Sequence, residues 1–491
     1  MAYPEEKLTR RCILPWRFMQ IHAGGMMQCC AVGPDTDIGD FLLDGIHDVN
    51  GQATVLPQVF DNRGLQILRQ SLLEGNLRPM CRGCFFMPDE KLTNTQFRKE
   101  VAEYLRMAGD NTEEYSDKDL SRHHRYEWMA ISFTNRCNLS CVYCVQSTQK
   151  GVNPFFRMEF PYEYAQMTLD LFAREGIKQL STCVEGESTI YPHWYELISK
   201  FHSDHPKVKL VMTTNLNRNY SDAELELLSD YNTLDVSIDS LNPELYAQMR
   251  RNGKIEILLE NIDKIQAKAK ERNNKCPNIT CHVVLCDKTW KSLERLAEYA
   301  FSKNIGLNIG NYEERANTIA YKEGIIHPVS TLPESDQKKI HEILVHISQQ
   351  AKNIGVDCIL QGDIFNKIDK NLHKEYHGFK PYDDRELINK YYEQNPHGIE
   401  RCHLDIIYDC DCISHEGILL SRGEHISVDN IQSEYIIVRE IEVYKEGTYS
   451  NRYKRNVKLG YRKKVKVENG TFSYKPTFCN DNIDTILLEV F

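Results

Sequence analysis

Three cysteines crowd one short stretch, Cys137-Asn138-Leu139-Ser140-Cys141-Val142-Tyr143-Cys144, at the spacing Cys-x3-Cys-x2-Cys. No fourth cysteine follows closely; the next is Cys183. A structural zinc site closes on four ligands, usually as two pairs, and a ferredoxin-type cluster takes four thiolates. Three thiolates on one loop fit instead an iron–sulfur cluster with one iron left open to another ligand. The plainer alternatives are a zinc loop or chance clustering. The preceding run, Trp128 to Phe133, reads as a buried strand, so the loop leaves a strand end.

A second cysteine set lies in the first hundred residues: Cys12, Cys29, Cys30, Cys81 and Cys84. Alternation through Phe18, Gln20 and His22, a glycine pair, and a return through Met26 to Cys30 predict a hairpin. Such a hairpin can set Cys12 and Cys29 side by side at one end. With Cys81-Arg-Gly-Cys84 these make four thiolates, and on chemistry alone zinc and 4Fe–4S are both open. Cys30 reads as a buried structural thiol.

The elements that must position these groups follow from the rest of the chain. Its 491 residues suggest two to four domains, and 41% hydrophobic residues suffice for buried cores. The net charge of −10 gives no global attraction to nucleic acid or an anionic membrane. The start lacks the apolar run of a signal peptide, and no stretch approaches the roughly 20 apolar residues of a membrane span. The expected compartment is the cytoplasm, where an odd count of 17 cysteines points to metal or redox chemistry. From 126 onward, strands and helices alternate. The expected strands end at Thr134, Cys183, Thr213, Ile238, Leu285 and Ile309; the helix after Ser221 carries a capping box with Glu224. Six strands alternating with helices imply a parallel sheet with right-handed crossovers, and ligands at the carboxyl ends of its strands.

The Cys-x3-Cys-x2-Cys loop after a first strand, with Tyr143 before the third cysteine, resembles the radical S-adenosylmethionine (SAM) enzymes. The resemblance implies an α/β fold with a partial (β/α)6 barrel core, flanked by small cysteine-rich hairpin modules. It also implies that Cys137, Cys141 and Cys144 hold a 4Fe–4S cluster whose open iron takes the amino and carboxylate groups of SAM. One electron then cleaves SAM to methionine and a 5′-deoxyadenosyl radical that removes hydrogen from substrate. Val184-Glu185-Gly186-Glu187-Ser188 resembles the family's Gly-Gly-Glu-Pro motif: Gly186 and Glu187 match, Glu185 and Ser188 depart. Glu187 then faces the SAM ammonium as a charge-assisted acceptor. Thr213-Thr214-Asn215 ends the third strand, with Asn215 expected to face SAM, and Ser237 with Asp239 ends the fourth, where short polar groups meet ribose hydroxyls; Arg250 pairs with the SAM carboxylate and Tyr143 lies beside the adenine. Cys-x11-Gly-x4-Cys followed by Cys-x2-Cys resembles the first half of a SPASM auxiliary-cluster domain, here before the core rather than after it. That implies a second 4Fe–4S cluster on Cys12, Cys29, Cys81 and Cys84.

The expected organisation is a cluster module over 1–90, a connector over 91–125, the core over 126–312, a helical extension over 313–400 and a β module over 401–491. Cys402, Cys410, Cys412 and Cys479 in the last part read as a third cluster or as an eroded copy of the first hairpin. The run from Lys445 to Lys466 holds nine basic residues and one acidic, read as lysine-protected edge strand or as a polyanion surface. Cys286, at the end of the fifth strand, is the candidate hydrogen-atom donor; Cys183 is a second.

The function expected is hydrogen abstraction from a small or carbohydrate-like substrate, leading to oxidation, epimerisation or elimination, because no peptide-binding segment precedes Cys12. A flavodoxin or ferredoxin-type protein is the expected electron donor. A peptide-modifying enzyme is the runner-up, and a zinc-stabilised binding module without turnover is the reading from another class.

Overall fold

The computed structural model describes residues 7–23, 25, 27–30, 46–49, 52–55, 60, 63–77, 91–110, 115–148, 159–272, 275–312, 314, 318–360, 401–408, 411–423, 425–428, 435–444, 457–466, 468–469, 472–478 and 483–490. Two compact units emerge: Met1–Tyr126 with Val152–Pro154 and Gly378–Phe491, and Glu127–Gly151 with Phe155–His377. Cys81, Cys84, Cys410 and Cys479 lie outside the described residues.

The second unit is a parallel sheet whose strands follow chain order: β1 (Trp128–Ile131), β2 (Gln179–Ser181), β3 (Lys209–Thr214), β4 (Thr233–Ser237), β5 (Asn278–Leu285), β6 (Gly306–Asn311) and β7 (Cys358–Leu360). Helices cross between them: α1 (Tyr162–Arg174), α2 (Trp194–Asp204), α3 (Asp222–Asp230), α4 (Ile255–Glu271), α5 (Leu293–Ser302) and α6 (Glu334–Ile354). This is the parallel sheet that the alternation implies, in the α/β partial barrel that the resemblance implies. All six expected strands are present. The seventh, β7, pairs with β6 through Leu307↔Cys358, an addition to the six-strand reading.

Period decides which side chains meet. In β5, Ile279, Cys281, Val283 and Leu285 are buried, while His282 and Val284 between them are only half-buried. In α4, Leu258, Ile262, Ile265 and Ala269 repeat at helical spacing and are buried. The α3 capping box forms: Glu224 N–H donates to Ser221 Oγ at 3.3 Å and Ser221 N–H to Glu224 Oε2 at 2.8 Å. α6 stops at Gly355, whose φ of +77° suits glycine as a left-handed cap.

In the first unit, Phe18–Ile21 and Met27–Gln28 form the expected antiparallel hairpin. Helix Asn94–Met107 buries Phe97, Val101 and Leu105 against Trp16, Leu72 and Leu73, with Cys12 packed at the margin. The carboxyl-terminal strands form a five-stranded antiparallel sheet in which Val457–Lys466, the last part of the basic run, is an edge strand; 445–456 lie outside the described residues. Its hairpin pairs Cys402 with Gly417 and Ile407 with Cys412. The backbones of Cys402 and Cys412 are therefore five rungs apart, about 17 Å at strand rise. That is too far for both to hold one metal centre.

Candidate active site

The three-cysteine loop begins where β1 ends. Its two-residue strand Ser140–Cys141 pairs antiparallel with Arg250–Arg251, Cys141 opposite Arg250. Val142 N–H donates to the Met249 carbonyl at 2.9 Å, and Ala320 N–H to the Val142 carbonyl at 2.7 Å. Backbone bonds on both sides thus hold the loop before any ligand does. Cys137 is exposed, Cys141 buried and Cys144 half-buried. Burial pushes the Cys141 thiol up to about 11, against the pull of Arg250. Among the described residues, no three His, Cys, Asp or Glu side chains converge on a point where a single ion would bind. Thiolates that cap different irons of a cluster need not converge so.

The Glu185-Gly186-Glu187 turn after β2 lies directly on this loop's entrance. Gly186 has φ +70°, and a Cβ there would stand 2.5 Å from the Arg136 carbonyl oxygen and 2.6 Å from that of Thr134. Glycine is needed for both conformation and clearance. Glu187 N–H donates to the Arg136 carbonyl at 2.8 Å. Ser132 Oγ, at the end of β1, accepts from the N–H groups of Val184 and Glu185 at 3.0 and 2.9 Å.

The Glu187 side chain is 1% exposed. Its Oε1 accepts from Thr189 Oγ1 at 2.8 Å, Thr214 Oγ1 at 2.9 Å and Thr189 N–H at 3.3 Å. Its Oε2 accepts only from Asn215 N–H, at 2.8 Å, among the described residues. Oε1 is saturated; Oε2 keeps acceptor capacity. Burial raises the carboxyl, and the bonds from Asn215, Thr189 and Thr214 oppose that rise. Asn215 also reaches the loop: its Nδ2 donates to Cys137 Sγ at 3.6 Å and to Asn138 Oδ1 at 2.9 Å. One residue thus touches a candidate cluster thiol and the Glu187 carboxylate, the candidate acceptor for the SAM ammonium.

A second network stands beyond the end of β4. Asp239 is fully buried. It accepts from Tyr143 Oη at 2.7 Å, Val284 N–H at 3.0 Å and Arg250 Nη2 at 3.3 Å. Arg250 Nε lies 2.9 Å from Asp239 Oδ2, a close ion contact whose N–H is not aligned for a hydrogen bond. Arg250 Nη1 points at Cys141 Sγ, 3.7 Å away. The Asp239 carboxylate is thus committed to protein groups. Ser237 is half-buried at the end of β4, in register with His282.

Cys286 is fully buried with Val142, Met249 and Tyr312, and accepts from Thr289 Oγ1 at 3.5 Å. Cys183 is half-buried beside the 185–186 turn. Thr189 and Ser132, which orient the turn and its carboxylate, escape the sequence reading, because nothing in their local pattern distinguishes them from ordinary capping residues.

Residues 131–300 match the Radical SAM superfamily. That match implies a 4Fe–4S cluster and SAM. A GTP 3′,8-cyclase of Nautilia profundicola is 25% identical over 209 residues, covering 40% of this chain and 59% of that protein. One of Helicobacter pylori strain HPAG1 is 25% identical over 242 residues, covering 48% and 67%. Streptococcus suis SuiB bound to S-adenosylmethionine aligns at TM-score 0.40 and 16% identity, covering 58% of this chain and 65% of that one. This chain therefore spans about three fifths of the length of the first of these relatives. Among the described residues, no helix is long and apolar enough to cross a membrane.

Proposed function

We propose that this protein, whose residues 131–300 carry the radical SAM match, binds a 4Fe–4S cluster through Cys137, Cys141 and Cys144 and SAM beside it, and abstracts hydrogen from a small or carbohydrate-like substrate. The observation that carries this reading is Asn215, bonded at once to Cys137 Sγ and to Glu187 Oε2. A cluster-loop thiol and an acceptor for an ammonium are thereby fixed side by side. The residues fit the cofactors: the three thiols come from one braced loop, and the buried carboxylate keeps one acceptor position open.

When bound, these cofactors supply one-electron cleavage of SAM to methionine and a 5′-deoxyadenosyl radical. The chain supplies binding and orientation. Glu187 Oε2 takes the SAM ammonium. Arg250 retains N–H groups beyond those turned to Asp239 and Cys141, and these take the SAM carboxylate. Ser237 and Asn215 serve the ribose, with Asp239 acting through Arg250 and Tyr143; Tyr143 flanks the adenine. Cys12, Cys29, Cys81 and Cys84 hold an auxiliary cluster, and a flavodoxin or ferredoxin-type protein delivers the electron. Cys286 would give a hydrogen atom to a substrate radical, forming a C–H bond at the expense of its S–H bond, and one electron from the same donor protein with a proton would return its thiyl radical to the thiol.

Anaerobic incubation with dithionite and SAM, followed by assay for 5′-deoxyadenosine against candidate sugars and aminocyclitols, tests the reading. Substrate-stimulated release is expected. No release with any reductant, from protein holding a full cluster, contradicts it.

A further inference from the structure

We infer that Arg250, held in place by Asp239, sets the reduction potential of the cluster through Cys141. The inference rests on the proposed ligation of the cluster by Cys141. It goes beyond that reading because it assigns the guanidinium a task at the thiolate sulfur that is independent of SAM.

Three observations place Arg250 at this task. The antiparallel pairing sets the Arg250 backbone directly opposite Cys141, so the two side chains start from the same rung. The guanidinium is then turned by its other end: Asp239 grips Nη2 at 3.3 Å and lies 2.9 Å from Nε. That leaves Nη1 aimed at Cys141 Sγ at 3.7 Å. Finally, the arrangement is dry and walled. Arg250 is 6% exposed, Asp239 0% and Cys141 9%, and the Tyr143 ring centre lies 5.5 Å from the guanidinium carbon. A donor held at one sulfur in a low-dielectric site acts more strongly than the same donor in water.

The sign follows from charge. A thiolate-ligated cluster becomes more negative by one electron on reduction; no bond forms or breaks. A cationic N–H donor at a ligating sulfur stabilises the more negative form, and hydrogen bonds to cluster sulfurs are among the factors that set such potentials. Arg250 therefore raises the potential, easing reduction. Asp239 is a positioning residue: it touches no sulfur, and its bond to Tyr143 at 2.7 Å fixes its own orientation. Lysine cannot replace arginine fully here, because a single ammonium cannot hold the carboxylate at one end and face the sulfur at the other, as the separate nitrogens of the guanidinium do.

The test uses the reconstituted full chain, anaerobically and without SAM, so that loss of a carboxylate contact to SAM cannot enter. Dithionite-poised titration followed by electron paramagnetic resonance gives the midpoint potential of the signal that Cys137, Cys141 and Cys144 together support. Arg250→Met is expected to lower the reduction equilibrium about tenfold, about 59 mV for a one-electron couple, with iron and sulfide per chain retained. Arg250→Lys is expected to fall between it and the unaltered protein. Where Arg250→Met does not hold the cluster, the midpoint of Arg250→Lys decides the matter. A midpoint that stays put or moves positive, with the cluster intact, overturns the inference while leaving the proposed function standing. Failure of the unaltered protein to bind any cluster strikes the proposed function itself.

Discussion

The backbone N–H of Asn215 donates to Glu187 Oε2 at 2.8 Å, tying the end of β3 to the turn after β2. Neither group is available to solvent, and Glu187 is 1% exposed. A carboxylate so placed, with one oxygen saturated and the other half-satisfied, is built for a single further donor. Its expected partner is the ammonium of SAM.

Glu187→Gln removes that charge-assisted contact, worth about 1.5–3 kcal/mol, or about ten- to hundredfold in affinity. Isothermal calorimetry on the reconstituted protein should show SAM binding weakened by this factor with iron content unchanged. Unaltered affinity would remove Glu187 from the SAM site.

The same carboxyl gives a pH dependence. Burial raises it above the ordinary carboxylate value of 4.5. A raised carboxyl takes up its proton sooner as pH falls, so SAM affinity should be full above the raised value and decline as pH drops through it. The Glu187→Gln protein should lack that decline. Parallel pH profiles for the two proteins would contradict the assignment.

Gly186→Ala should destabilise the second unit. The left-handed backbone alone costs an ordinary residue about 1–3 kcal/mol, and the new Cβ also presses on the Arg136 and Thr134 carbonyls. Denaturant unfolding measures this. A loss below about 0.5 kcal/mol would mean that the turn can shift away from the loop.

Much of this arrangement was legible in the residues, and the rest was not for identifiable reasons. The strands β1 to β6 declare themselves by apolar runs bounded by turn residues, and the Ser221 capping box by its four-residue spelling. β7 is three residues long, directly after the Gly355 cap, and too short for periodicity to register. Cys137, Cys141 and Cys144 stand out by spacing. The pairing of Arg250 with Asp239 does not: an arginine near a strand-end aspartate is an ordinary solvated pair until tertiary packing buries both. Reading Asp239 as a ribose ligand followed from its place at a strand end, and its commitment to Arg250, Tyr143 and Val284 is visible only in three dimensions. The hairpin of Cys402 and Cys412 looked like a ligand set because sequence distance conceals register, which here separates the two by five rungs.

Asp239→Ala leaves the Arg250 guanidinium buried without its counter-charge. Removing one partner of a buried ion pair costs about 3–5 kcal/mol. Thermal unfolding of the iron-free protein should show the loss, larger than that of Gly186→Ala. A change under about 1 kcal/mol would show that water or rearrangement rescues Arg250.

Cys286 carries the hydrogen-donor proposal and is also buried among Val142, Met249 and Tyr312. Under that proposal Cys286→Ala still cleaves SAM and abstracts hydrogen, but the product is oxidised or unsaturated rather than inverted at a stereocentre. The same product at the same rate would leave Cys286 as packing.

Electron paramagnetic resonance of the anaerobically reconstituted, dithionite-reduced full chain, recorded with and without SAM, tests whether the three-cysteine loop holds a cluster that SAM meets. A reduced 4Fe–4S signal is expected that SAM changes, and that is lost when Cys137, Cys141 and Cys144 are all replaced by alanine, with the remaining iron signal unchanged. A colourless protein holding zinc and no sulfide, or a cluster signal indifferent both to SAM and to the triple substitution, would contradict it.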